Sequence, residues 1–232
     1  MSAGAAWRWC LAAGLVMLAC AWGFARIPGL TACGPTGGLG PVIAFELARS
    51  PAETMTIFGT APCRSMLIPA QRLGLLLDAL RFIPAYTAFL CLAARAARRA
   101  FAPPVVAALL VAGLLDQIEG GLLFLILRDF PGGEPSYGIL FWVVRAKFLL
   151  LGLGTLAIAA MLVGWRTMRW FGTILVGLGA VKALEGFFAL PDPGMIRGFT
   201  LAWAALLGVA AVGAAFPRLL AAPPPAPARP NA

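Results

Sequence analysis

Apolar residues run along this chain in long blocks rather than in short alternating stretches. Six blocks, near residues 7–25, 73–94, 103–127, 138–163, 170–190 and 196–216, each approach or exceed the length that a helix needs to cross the hydrocarbon core, about 20 residues for roughly 30 Å. Only helices and closed barrels satisfy their backbone inside lipid. The pattern therefore predicts an all-α fold: a polytopic membrane bundle of about six transmembrane helices. It divides the chain into a first transmembrane helix (1–26), an outward-facing loop with a short helix (27–71), a five-helix membrane bundle (72–216) and a Pro- and Ala-rich tail (217–232). The tail cannot build a core and is expected to be disordered and cytoplasmic. Arg8 followed by an apolar run also fits a cleaved signal peptide; the expectation is a retained span. Leu30, Thr31, Ala32 and Cys33 resemble a lipobox, but Arg26 and Pro28 separate them from the apolar run.

Composition agrees with a bilayer. Apolar residues make up 61% of the chain and charged residues 12%, against roughly 45–50% and 25% in soluble domains. A net charge of +9 raises the question of nucleic acid, but the arginines flank apolar spans as the positive-inside rule requires. Arg8, Arg95, Arg98, Arg99, Arg166, Arg169, Arg218 and Arg229 fall on one side, and Glu46, Glu53, Asp129, Glu134 and Asp192 on the other. Both termini are thus expected in the cytoplasm. Trp7, Trp9, Trp165 and Trp170 fall at the inner interface and Trp22 at the outer one, where indoles collect.

The long connection begins with turn-forming Gly and Pro from Gly34 to Pro41. Ser50, Pro51 and Glu53 then form a capping box with proline at the first helical position, predicting a short helix over 51–58. Cys33 and Cys63 share this segment. An oxidising exterior would permit a disulfide between them; two unpaired thiols is the other reading. Cys10, Cys20 and Cys91 lie in spans and read as small apolar fillers.

Eight charged residues interrupt the spans: Asp78, Arg81, Asp116, Glu119, Arg145, Lys147, Lys182 and Glu185. Charge in hydrocarbon is costly and normally faces the protein interior with a partner. Counting along the helices places all eight in one layer roughly 7–17 Å below the outer surface. Four acids and four bases sum to 4 − 4 = 0, the condition for mutual neutralisation in a low-dielectric interior. Asp78 and Arg81, Asp116 and Glu119, and Lys182 and Glu185 are three apart and are expected to share a face. Arg145 and Lys147 diverge, so Arg145 is expected to reach the outer headgroups. The expected polar network is therefore Asp78, Arg81, Asp116, Glu119, Lys147, Lys182 and Glu185. Pro84 removes the hydrogen bond to the Leu80 carbonyl, freeing it for water or Thr87. A shift of 66 residues aligns Arg81-Phe82 with Lys147-Phe148 and Glu119-Gly120 with Glu185-Gly186. That suggests a tandem repeat of a two-helix hairpin.

Phe45-Glu46-Leu47-Ala48, Asp78 with Phe82-Ile83-Pro84-Ala85-Tyr86, and Leu115-Asp116-Gln117-Ile118-Glu119 resemble segments of uncharacterised bacterial multispanning inner-membrane proteins. Gly120 stands where those proteins often have asparagine. The resemblance implies a bacterial inner membrane and no particular activity. The absence of histidine excludes histidine-based triads, the HExxH zinc site and histidine-ligated haem. No cofactor, metal site or nucleic acid is expected. The expected partners are the lipid bilayer and a periplasmic or membrane protein. The function expected is that of a structural or accessory membrane protein with a charge-paired polar layer in the outer half of the bundle; the alternatives are a small-solute or proton-linked transporter using Asp116 and Glu119, and a lipid-modifying enzyme.

Overall fold

The computed structural model describes residues 3–97, 100–163 and 168–217. Among them it is helical, without strands. In chain order the helices are α1 (Ala3–Phe24), α2 (Pro41–Glu46), α3 (Pro51–Phe58) and α4 (Cys63–Leu77). A π-helical turn, Asp78–Phe82, joins α4 to α5 (Ile83–Ala96). Then come α6 (Ala102–Arg128), α7 (Glu134–Leu162), α8 (Met168–Phe188) and α9 (Gly194–Ala215). Five stretches are long and apolar enough to cross a membrane: Gly4–Phe24, Cys63–Ala96, Ala102–Arg128, Glu134–Leu162 and Gly194–Ala215. The remaining predicted block, 170–190, is α8, which has 21 residues. Arg98, Arg99, Trp165, Arg166 and nearly all of the expected disordered tail lie outside the described residues.

The long helices close on themselves. α1 packs against α5, α5 against α6, α6 against α7, α7 against α8, α8 against α9, and α9 returns to α1. The α8–α9 pair is the most intimate because Gly179, Gly186 and Gly198 bring backbone onto backbone. A Cβ at Gly179 would sit 2.5 Å from the Ala202 nitrogen, so only glycine permits this approach. α1 meets α9 at Gly14, where an added Cβ would lie 2.6 Å from Leu207 Cδ1.

The long connection folds down as a cap on one end of the bundle. α3 spans the expected residues; Ser50 Oγ accepts a bond from the Glu53 backbone N–H at 3.2 Å. The reciprocal bond to the Glu53 carboxylate comes from the Arg49 N–H at 2.8 Å rather than from Ser50. α2 was not expected: Pro41 starts a helix where the glycine-rich run suggested only turns. α4 begins at Cys63, ten residues before the predicted span (73 − 63 = 10). Its first turns carry Arg64, Ser65, Gln71 and Arg72, so hydropathy detects the apolar part while the helix continues beyond it. Phe58 links the cap to the bundle, with ring centroids 5.1 Å from Phe45 and 5.2 Å from Phe130. Gln71 Nε2 donates to the Pro41 carbonyl at 2.9 Å. Cys33 and Cys63 form a disulfide, with Cα atoms 5.8 Å apart.

Trp9, Trp22 and Trp170 are exposed on the perimeter. Trp7 is fully buried among its neighbours. Arg26 lies over the Trp22 ring at 4.2 Å.

Candidate functional site

Lys147 is 2% exposed on α7, and acids from two other helices converge on it. Its ammonium donates to Asp116 Oδ1 at 2.9 Å and to Glu46 Oε2 at 3.2 Å. Glu119 Oε2 is nearer still, 2.7 Å from Nζ, but lies off the line of a hydrogen bond and has no hydrogen-bond partner. Asp116 and Glu119 reach the same ammonium because three-residue spacing puts them on one face of α6. Tyr86 of α5 donates its hydroxyl to the second oxygen of Asp116 at 2.5 Å. Glu46 arrives from the cap as the last residue of α2. Burial pushes its carboxyl above the ordinary glutamate range, with Lys147 acting in the opposite direction.

Only part of the expected network assembles. Asp116, Glu119 and Lys147 meet, and Asp78 lines the same cavity without a hydrogen bond or ion pair among the described residues. Arg81, Lys182 and Glu185 are exposed on the perimeter and join no ion pair among the described residues. On α8 the buried face carries Val176, Ala180 and Ala183. Lys182 lies about 200° around the helix from Ala180, and Glu185 likewise from Ala183, so both point away from the bundle. Arg81 separates from Asp78 because the intervening turn is π-helical. Its i→i+5 bonding widens the repeat, and residues three apart no longer share a face. The expectation for Pro84 also changes. Gln117 Nε2 donates to the carbonyl of Ala79 at 2.7 Å, one residue before Leu80, and the Thr87 hydroxyl is buried without a partner. Arg145 turns away from Lys147, its guanidinium 3.6 Å above the Phe141 ring.

The charge balance is consequently different from the sequence count. Glu46, Asp116 and Glu119 against Lys147 give 1 − 3 = −2 when all are ionised, and Asp78 makes it −3. Such an excess in a buried site requires protons or a bound cation. Glu46 was missed because it sits in the long connection, which hydropathy places outside the membrane. The available signal was an acid ending the apolar run Pro41-Val42-Ile43-Ala44-Phe45.

Beside the cluster is a cavity of about 380 Å³. Glu46, Asp78, Asp116 and Lys147 line one part of it, and the rest is chiefly apolar. Tyr86 and Trp203 stack there with centroids 5.3 Å apart, and Phe199 lies 5.5 Å from Trp203. No group of three or more His, Cys, Asp or Glu side chains suited to a metal ion occurs among the described residues. Compared with protein-family models, curated proteins and solved structures, the chain matches none.

Proposed function

We propose that this multi-pass membrane protein is a carrier for a proton or a small cationic solute, in which Asp116 and Glu119 take up the charge. What supports this reading is the imbalance at Lys147: one ammonium contacts three carboxylates. A set of groups serving only to hold helices together would gain most from neutrality. An excess of acid instead favours uptake of positive charge, and Asp and Glu chains inside bundles are the usual means of proton relay. The Lys147 ammonium holds part of the negative charge in place, so the site can lose its proton or cation without stranding every carboxylate. The cell location proposed with this reading is a bacterial inner membrane with both termini in the cytoplasm. Membership of the uncharacterised family that the Glu46, Asp78 and Asp116 segments resemble belongs to the same proposal.

The test is proton and cation flux in proteoliposomes. The full chain is expected to carry flux above empty vesicles, and Glu119→Gln to reduce it by about a hundredfold or more, comparable to the loss of one general acid–base group. Flux equal to that of empty vesicles for every ion tried would reject the carrier. One observation favours a second reading, that of an accessory protein. The Lys147–Glu46 bond ties the cap to the bundle and would present the cap rigidly to a periplasmic or membrane protein. Under that reading Glu46→Gln loosens the cap and leaves no flux to lose.

A further inference from the structure

The cavity beside Lys147 has a shape and a charge that restrict what can enter it. Its volume, about 380 Å³, is near the lower end of small-molecule sites, roughly 300–1,000 Å³. Most of its wall is apolar, including Met17, Leu18, Leu151, Ile196 and Leu207. The polar groups are gathered where Glu46, Asp78, Asp116 and Lys147 meet. A ligand filling it must therefore have one polar head and an apolar body.

The sign of the head follows from what is already paired. Lys147 is engaged by three carboxylates, so its charge is not available to an anion. Asp78 is different: its carboxylate lines the cavity and has neither hydrogen bond nor ion pair among the described residues. An anionic head would meet Glu46, Asp78 and Asp116 at close range. A cationic head would meet an unused carboxylate, in a chamber that Tyr86, Phe199 and Trp203 also line. The absence of a metal-type grouping among the described residues directs the choice to an organic cation.

The way in is lateral. α1 and α9 close on each other at Gly14 and Leu207. Farther toward the capped end, Leu18 on α1 and Thr200 and Ala204 on α9 both line the cavity and are exposed on the perimeter. The cavity thus reaches the surface between these two helices, where the bundle faces lipid.

We propose that this chamber binds a small lipophilic amine, drawn from the bilayer between α1 and α9, with its protonated nitrogen on Asp78. This rests on the carboxylate excess that also supports the carrier, but it concerns binding and not transport.

Titration calorimetry on the full chain in nanodiscs, against empty nanodiscs, tests it with three probes of one tail: octylamine, octanol and octanoate. Octylamine is expected to bind saturably, and the other two about thirtyfold more weakly, as expected for loss of one partner of a buried charge pair. Asp78→Asn should weaken octylamine by a similar factor without lowering the melting temperature, because Asp78 has no hydrogen bond or ion pair to lose among the described residues and its neutralisation relieves part of the acid excess. Leu18→Trp, which narrows the lateral opening, provides a second variant that leaves the charges intact and should also reduce binding. Octanoate binding as well as octylamine, or octylamine binding unaffected by both variants, would overturn the proposal. Saturable amine binding without any flux supports the chamber and rejects the carrier. Proton flux without amine binding rejects the chamber alone.

Discussion

Replacing Lys147 by methionine would leave Glu46, Asp116 and Glu119 facing one another with no positive charge in contact. Breaking a buried ion pair from one side costs about 3–5 kcal/mol. Lys147→Met is therefore expected to be the most damaging single change in the cluster. Glu119→Gln should be milder, below about 3 kcal/mol, because it removes one of three acids facing a single ammonium and Glu46 and Asp116 still hold the lysine. Neutralising all four groups together should recover much of the loss, since the groups are in direct contact and their effects do not add. Melting in detergent separates these outcomes: equal loss from Lys147→Met and Glu119→Gln would contradict the three-to-one arrangement. Asp116 and Glu119 could be paired from their spacing alone. Their partner could not, because Arg81, Lys147 and Lys182 are similar as sequence signals and differ only in which way their helices face.

Among the elements, the cap and the π-helical turn are the two that bring acids to the cavity from outside the long α-helices. The Cys33–Cys63 disulfide closes a separation of 30 residues around α2 and α3. In the chain-entropy description such a closure stabilises by about 3–4 kcal/mol. Cys63→Ser is expected to lower stability by that order, and alkylation before and after reduction should show two thiols released in the parent chain. A chain with both thiols free before reduction would refute the bond. The π-helical turn depends on Gln117, whose amide donates to the Ala79 carbonyl. Gln117→Leu leaves that carbonyl unsatisfied in an apolar setting, an expected cost of about 1–3 kcal/mol. α3 was legible in advance because its cap is local: Ser50 and Glu53 are three residues apart. The π-helical turn was not. Proline at 84 signalled an interruption, but where the freed geometry is absorbed depends on Gln117, 38 residues away from Ala79.

For the molecule as a whole, the closed ring of six long helices requires each to neighbour the next and α9 to return to α1. If all six cross the bilayer, an even number of passes puts both chain ends on one side. A membrane-impermeant maleimide on intact spheroplasts is expected to label Ser136→Cys, beside the cap, and not Arg95→Cys at the far end of α5. Labelling of both from outside, or of Arg95→Cys alone, would reject the orientation. The bundle of long apolar helices was readable from the chain because the cost of placing each side chain in hydrocarbon is a property of that residue and its near neighbours. Runs of Leu, Val, Ile, Ala and Phe therefore mark their own helices wherever they occur. Which charges meet is not local in this sense. It depends on the rotation of α8, which turns Lys182 and Glu185 outward, and on a cap that lowers Glu46 onto a lysine 101 residues later. Summed along the sequence, the charges within the apolar blocks cancel; gathered in space, the acids prevail, because only packing selects which of them share a site.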